Sequence, residues 1–138
     1  GVSNFLPHHM DMLMETATIQ PMVDQLRLCP GVTQPEIVSY CKAHGIAIEA
    51  YSPFGTGSVF HSESIQELSR KYGKTPGQIC LRWSIQMGFI PLPKSVTPAR
   101  ISENLDIFDF SLSSEDVLRI SAMEGCCDPA PDPDKITF

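Results

Sequence analysis

The chain has 138 residues, of which 42% are hydrophobic, 8% aromatic and 19% charged, a balance that excludes a disordered chain and fits one domain at most. Ten Lys and Arg against sixteen Asp and Glu give a formal charge of −6, so no overall basic field exists to draw nucleic acid or an anionic membrane. The apolar runs fall far short of a bilayer span, and no basic segment followed by an apolar stretch opens the chain; a soluble, cytoplasmic protein without nucleic-acid or membrane partners is the expectation.

Gly1-Val2-Ser3-Asn4-Phe5 reads as the end of a buried strand, and because a domain rarely starts inside a core strand the chain is expected to be a fragment. Pro7 opens a helix to about Glu15 with Met10, Leu13 and Met14 on one face. The apolar run Pro21-Met22-Val23 is a second strand, ending in the polar pair Asp24-Gln25. Thr33-Gln34-Pro35-Glu36 has the spacing of a capping box, and a helix over 35–44 follows, stopped by Gly45. Ile46-Ala47-Ile48-Glu49-Ala50 is a third strand leading into Tyr51-Ser52-Pro53 and the loop from Phe54 to Ser58.

Ser62 or Ser64 caps a helix carrying Ile65, Leu68 and Tyr72, which Gly73 ends; Thr75-Pro76 starts another, with Ile79, Trp83 and Met87 on one stripe, which Gly88 ends. Phe89-Ile90-Pro91-Leu92-Pro93 is a fourth, short strand followed at once by Lys94-Ser95. Thr97-Pro98 begins a helix through Leu105, and Ser113-Ser114-Glu115-Asp116 caps the last one, carrying Val117, Leu118 and Ile120 and closed by Gly125. Residues 126–138 are acidic and proline-rich and are expected to be an irregular tail to a domain of residues 1–125.

Four strand–helix units in series signify an α/β fold with parallel strands and crossover helices. Since a (β/α)₈ TIM barrel takes about 250 residues, (βα)₄ in 138 residues corresponds to half of one. A small doubly wound sheet competes, but no GxGxxG follows a strand.

Polar pairs stand at the carboxyl ends of all four expected strands: Ser3-Asn4, Asp24-Gln25, Tyr51-Ser52 and Lys94-Ser95. In a barrel these ends converge on the working face. Any one pair is equally well explained as satisfying loop backbone groups; four in register are not. Ser3, Asn4 and Gln25 suit a planar carboxamide held by neutral hydrogen bonds, and Tyr51 offers a ring face to a flat heteroaromatic group. The Gly-containing loop bearing Phe54 and Thr56 allows backbone N–H groups to approach a pyrophosphate, or is an ordinary turn. Lys94-Ser95-Val96-Thr97 enters a helix with Arg100 near its first turn, so two cations, hydroxyls and a helix dipole converge on one anion. Arg100 alternatively pairs with Glu103 on the helix surface, or stacks over an adenine whose edge Glu103 and Asn104 reach.

His8 and His9 are adjacent and should diverge on a helix, so no metal is expected there. Cys29, Cys41, Cys80, Cys126 and Cys127 are odd in number without a CxxC spacing, which fits free thiols in a reducing compartment. Cys126-Cys127 lacks a basic neighbour to lower a thiol pKa and reads as a flexible surface pair.

In this order, Gly1-Val2-Ser3-Asn4-Phe5, Ala50-Tyr51-Ser52-Pro53, Ile90-Pro91-Leu92-Pro93-Lys94-Ser95 and Arg100-Ile101-Ser102-Glu103-Asn104 resemble successive motifs of the aldo-keto reductase superfamily through about Ile120. The resemblance implies a (β/α)₈ barrel reducing aldehydes and ketones, with this chain matching its C-terminal half, strands five to eight. It implies that Ser3, Asn4 and Gln25 hold the nicotinamide carboxamide, that Tyr51 stacks on the ring, and that Ser52, Phe54 and Thr56 line the pyrophosphate. Lys94, Ser95, Val96 and Arg100 would surround the 2′-phosphate, favouring NADP(H), NADPH over NADH, with Glu103 and Asn104 on the adenine.

Two departures stand out. The family usually has Asn-Gln-x-Glu-x-His-Pro where this chain has Asp24-Gln25-Leu26-Arg27-Leu28-Cys29-Pro30. The family's catalytic Asp, Tyr, Lys and His belong to the first four units, so no catalytic residue is assigned here and the chain alone is expected to be inactive. The expected substrate of the whole reductase is a small carbonyl compound. Self-association, or pairing with a complementary half-barrel, is expected from two open sheet edges; the alternative function is a non-catalytic nucleotide-binding or interaction module.

Overall fold

Pro7, Pro35, Pro76 and Pro98 each stand in the first turn of a helix, where the fixed φ of proline suits the helix and its missing N–H costs no hydrogen bond. These starts divide the chain as the sequence divides it. The computed structural model describes residues 1–136. It comprises β1 (Val2–Ser3), α1 (Pro7–Met14), β2 (Val23–Arg27), α2 (Pro35–Ala43), β3 (Ala47–Tyr51), α3 (Glu63–Tyr72), α4 (Pro76–Gln86), β4 (Ile90–Leu92), α5 (Pro98–Leu105) and α6 (Ser114–Ser121). Single 3₁₀ segments cover Gly55–His61 and Pro133–Lys135.

The four strands are all parallel and lie in the order β1-β2-β3-β4. A doubly wound sheet requires a point where strand order reverses, and this sheet has none; sequential order is that of a barrel segment. Leu26, Ile48 and Ala50 are buried on one face of the sheet, together with Ile37, Cys41, Ile65, Leu68, Ile79, Trp83 and Ile120 from the helices. Trp83 is fully buried and its indole N–H donates to Ser121 Oγ at 2.9 Å, so the largest core side chain also ties α4 to α6. Gln25, Arg27, Glu49 and Tyr51 alternate with these apolar residues and occupy the other face, where they are only half-buried. The period of two thus separates a helix-covered core from an open, polar inner face.

Several local expectations are revised. Paired strand runs to Arg27 rather than ending at Gln25, so Asp24-Gln25 lies within β2, beside Val2 and Ser3. The apolar run that suggested the strand overlaps it only at Val23; a buried parallel strand is specified by both faces, not by one run. Thr33 and Glu36 do not form a capping box, because Gln34 sits at the cap in the left-handed region (φ 42°) and its side-chain amide donates to Arg27 O at 2.8 Å. Ser62 precedes α3 without a side-chain cap bond, whereas Thr75 and Ser113 cap α4 and α6 by accepting from Gln78 N and Asp116 N. Leu118 projects into solvent. Within α3–α6 packing, burial opposes ionisation of Asp116, but hydrogen bonds from Lys71, Tyr72 and Ser113 outweigh it and hold its pKa at about 2.

The tail is partly ordered by its 3₁₀ turn and by long-range contacts; positions 137 and 138 of the tail lie outside the described residues. No helix among the described residues is long and apolar enough to cross a membrane.

Candidate functional site

Register places Ser3 beside Gln25, Gln25 beside Glu49, and Glu49 beside Ile90. One transverse row thus crosses all four strands on the open face. Ser3 Oγ and the Asn4 N–H both donate to Gln25 O at 3.0 Å. Gln25 Nε2 donates to Glu49 Oε2 at 2.8 Å, and the Tyr51 hydroxyl donates to Asn4 Oδ1 at 3.2 Å. The expected amide-bearing group is therefore assembled into one network, with Glu49 as a member that sequence reasoning missed. Its signal was available: Glu49 and Tyr51 are two apart in a strand and share a face.

The backbone is strained at the same place. Asn4 (φ 56°), Ser52 (φ 50°) and Thr56 (φ 58°) adopt left-handed conformations without being glycine, each at a cost of about 1–2 kcal/mol. All three were singled out from sequence, and such strain concentrates where a chain must present a particular geometry to a ligand. Around Thr56 the loop is a kinked 3₁₀ turn rather than an open Gly-rich loop. The Gly57 N–H donates to Phe54 O at 2.7 Å, and Thr56 and Ser58 hydroxyls donate to Gly55 O at 2.6 and 2.7 Å.

Beyond this turn lies a cavity of about 530 Å³, lined by Phe54, Phe60, Thr75, Pro76, Gly77, Lys94, Ser95, Val96, Thr97, Arg100, Glu103 and Asn104. Every residue expected around the adenosine end meets here. The N-terminus of α4 joins that of α5 at the wall, an arrangement that sequence marked only as a helix cap. Two helix N-termini and two cations give the cavity a positive field. Lys94 and Arg100 make no ion pair among the described residues, so the Arg100–Glu103 surface pair is not realised. Glu103 instead accepts from Thr75 Oγ1 at 2.5 Å, while Gln78 Nε2 donates to Glu103 O at 3.2 Å and Asp106 O at 2.8 Å. Thr75 therefore caps α4 and braces it to α5. Thr75→Ala is expected to lower stability by about 1–2 kcal/mol, read as a fall in the thermal midpoint.

Each of the three tyrosines donates its hydroxyl to a side chain of this chain. Tyr40 donates to Asp11 Oδ1 at 2.5 Å, a bond that raises its pKa, and Tyr72 donates to Asp116 Oδ2 at 2.5 Å. Both phenols sit in helix-to-helix contacts, and Tyr51 is engaged with Asn4. On the inner face Arg27 Nε is buried without a hydrogen-bond partner, a feature that accompanies the loss of the glutamate expected from the family motif.

His8 and His9 do not diverge: their rings lie 4.0 Å apart and both Nε2 atoms reach Asp134 Oδ1, at 3.1 and 2.8 Å. Proximity of the tail, not helix geometry, brings them together. His9 Nδ1 accepts from the Leu6 N–H at 3.0 Å, which places the hydrogen on Nε2 in the neutral ring, facing Asp134. The three groups so satisfy one another as a hydrogen-bonded clamp.

Parallel strands in sequential order, with a polar network on their open face and left-handed residues and a cation-lined cavity beyond their carboxyl ends, define a (β/α)-barrel protein. The model of the Aldo/keto reductase family matches residues 1–124, and the chain belongs to that family. It is 43% identical to glyoxal reductase of Bacillus subtilis (strain 168) over 138 residues, covering 100% of this chain and 50% of the relative. It is 38% identical to methylglyoxal reductase DkgA of Escherichia coli (strain K12) over 137 residues, 98% of this chain and 50% of that one. Among solved structures, a mutant of Gox0644 in complex with NADPH superposes with a TM-score of 0.94 at 36% identity, covering 100% of this chain and 51% of that chain. The aldo-keto reductase MGS-M4, from a deep-sea metagenome, gives 0.93 at 35% identity, covering 100% and 52%. The chain spans about half the length of the curated relatives it matches, and its fold is a four-strand part of their barrel.

Proposed function

We propose that this chain is the cofactor-holding, C-terminal half of an NADPH-dependent aldo-keto reductase barrel that reduces small aldehydes or ketones. The reading rests on one observation above the others: Lys94, Ser95, Arg100 and two helix N-termini line one cavity, separated by the strained turn around Thr56 from the Ser3–Asn4–Gln25–Tyr51 network. A dinucleotide has this polarity, anionic at the adenosine end and neutral at the nicotinamide end. NADPH in the structure of the Gox0644 mutant supports the same assignment.

When bound, the nicotinamide supplies a hydride for the carbonyl. The chain's residues hold and orient it: Ser3, Asn4 and Gln25 through neutral hydrogen bonds to the carboxamide, and Tyr51 through its ring face. Lys94, Ser95 and Arg100 would hold the 2′-phosphate, with Val96 beside them in the lining, and Glu103 and Asn104 the adenine. Protonation of the resulting alkoxide requires a positioned acid, which we assign to residues outside this chain because its three tyrosines are engaged elsewhere. The partner of β1 and β4, the two edge strands, is the complementary set of four strands of the same barrel.

The test is fluorescence titration of the purified 138-residue chain with NADPH, with carbonyl reduction followed on the same sample. Saturable binding without turnover is the expected result. Turnover by the chain alone overturns the assignment of the acid to other residues, and absence of binding removes the cofactor reading.

A further inference from the structure

Beyond α6 the chain doubles back over the strand exits and sets two adjacent thiols against the end of β2. Cys127 Sγ lies 3.2 Å from Cys29 Sγ, and the Cys126 and Cys127 thiols reach Pro30 O at 3.1 and 3.4 Å. Rather than a flexible surface pair, these cysteines are partly buried and seated. Two glycines make room for them. A Cβ on Gly31 would stand 2.4 Å from Cys126 Sγ, and one on Gly55 would stand 2.7 Å from Cys127 Cβ. Both glycines also hold left-handed φ values, 85° and 52°, so a side chain is excluded by space and by backbone alike.

We propose that Cys29 and Cys127 are a redox modification site, closing to a reversible intrachain disulfide when the protein meets a hydroperoxide. The sulfurs need to approach from 3.2 Å to about 2.05 Å. The two thiols have unequal roles. Cys29 is fully buried, and burial together with the Cys127 thiol pushes its pKa up to about 12, so it is not the thiol that solvent reaches first. Cys127 is the accessible member and attacks the peroxide: an S–O bond forms, the O–O bond breaks, and one water or alcohol leaves. The Cys29 sulfur then displaces the sulfenic oxygen as a second water, forming the S–S bond. Two thiols lose two electrons and two protons, and hydrogen peroxide is reduced to two waters. A dithiol reductant reverses the step by exchange. The bridge fastens the tail to the loop after β2 across 98 positions and, through the seat of Cys127 on Gly55, holds the turn after β3.

The reduced protein is treated with equimolar hydrogen peroxide, alkylated, digested without reductant and analysed by mass spectrometry. A linked pair of peptides carrying Cys29 and Cys127 is expected, with two of the five thiols lost and both recovered on adding dithiothreitol. Cys127→Ser and Cys29→Ser should each abolish the linked pair, whereas Cys126→Ser should retain it. Cys127→Ser alone decides the matter if the buried Cys29 variant does not fold, because position 127 lies in the tail. Over-oxidation of Cys127 with Cys29 still reduced, a Cys126–Cys127 or interchain bridge, or a linked pair formed only in urea overturns the proposal.

Discussion

Arg100→Ala is expected to weaken NADPH binding by about 10- to 100-fold while changing NADH binding by less than about threefold, the range set by losing a hydrogen bond to a charged group. Arg100 lies in the first turn of α5, a helix that buries no residue in the core, so its truncation leaves the packing intact and a circular dichroism spectrum should not change. In the cavity it lacks an ion pair among the described residues, which leaves its guanidinium free to meet a phosphate with two parallel N–H donors. NADH carries no 2′-phosphate and has nothing to lose there. Arg100→Lys keeps the charge without the fork and should fall between the parent and the alanine variant. Raising ionic strength should narrow the gap between the two cofactors, because the contact is exposed and screened. Equal weakening of NADPH and NADH would instead make Arg100 a stacking partner of the adenine and transfer the phosphate to Lys94 and the two helix ends.

Helix starts and stops were legible in this sequence because they rest on local chemistry. Thr75-Pro76 forms the expected cap with Gln78, and Gly73 ends α3 in the left-handed region at φ 63°, each determined by residues within one turn. The cavity was legible for the same reason: Lys94 through Asn104 is one continuous segment, so a single helix start carries most of its lining. Its other wall was not, because nothing local announces that the N-terminus of α4 packs beside α5; Thr75 meets Glu103 28 residues away. The tail shows the limit most clearly. His8 reaches Asp134 across 126 positions and Cys29 reaches Cys127 across 98, contacts with no periodicity to betray them. The shift of Asp24 from the strand exit into β2 has another cause. A strand covered by helices normally reads as a continuous apolar run, and an aspartate in its helix-facing row contradicts that pattern.

That aspartate carries the second large expected effect: Asp24→Asn should stabilise the protein by up to about 3 kcal/mol at pH 7.5 and by close to nothing near pH 3. Asp24 is fully buried, neither carboxylate oxygen makes a well-aligned hydrogen bond, and it sits beside Val2 and Ile48 in the sheet. Burial, only partly offset by the Phe5 backbone, raises its pKa from 3.8 to about 6. Below about pH 3 the group is protonated in both folded and unfolded chains and has no preference between them. Between pH 4 and pH 6 the unfolded chain releases the proton while the folded one retains it, so stability declines as pH rises through this window; above it the full penalty remains. Urea unfolding at pH 4.5 and 7.5 should therefore show a midpoint gap between variant and parent that grows with pH, with unchanged slope. The asparagine restores the residue usual in the family motif and removes the charge while keeping the shape. A gain that is equal at both pH values would mean that packing rather than ionisation sets the cost of Asp24, and a loss at pH 7.5 would mean that the buried carboxylate holds a partner that stabilises it.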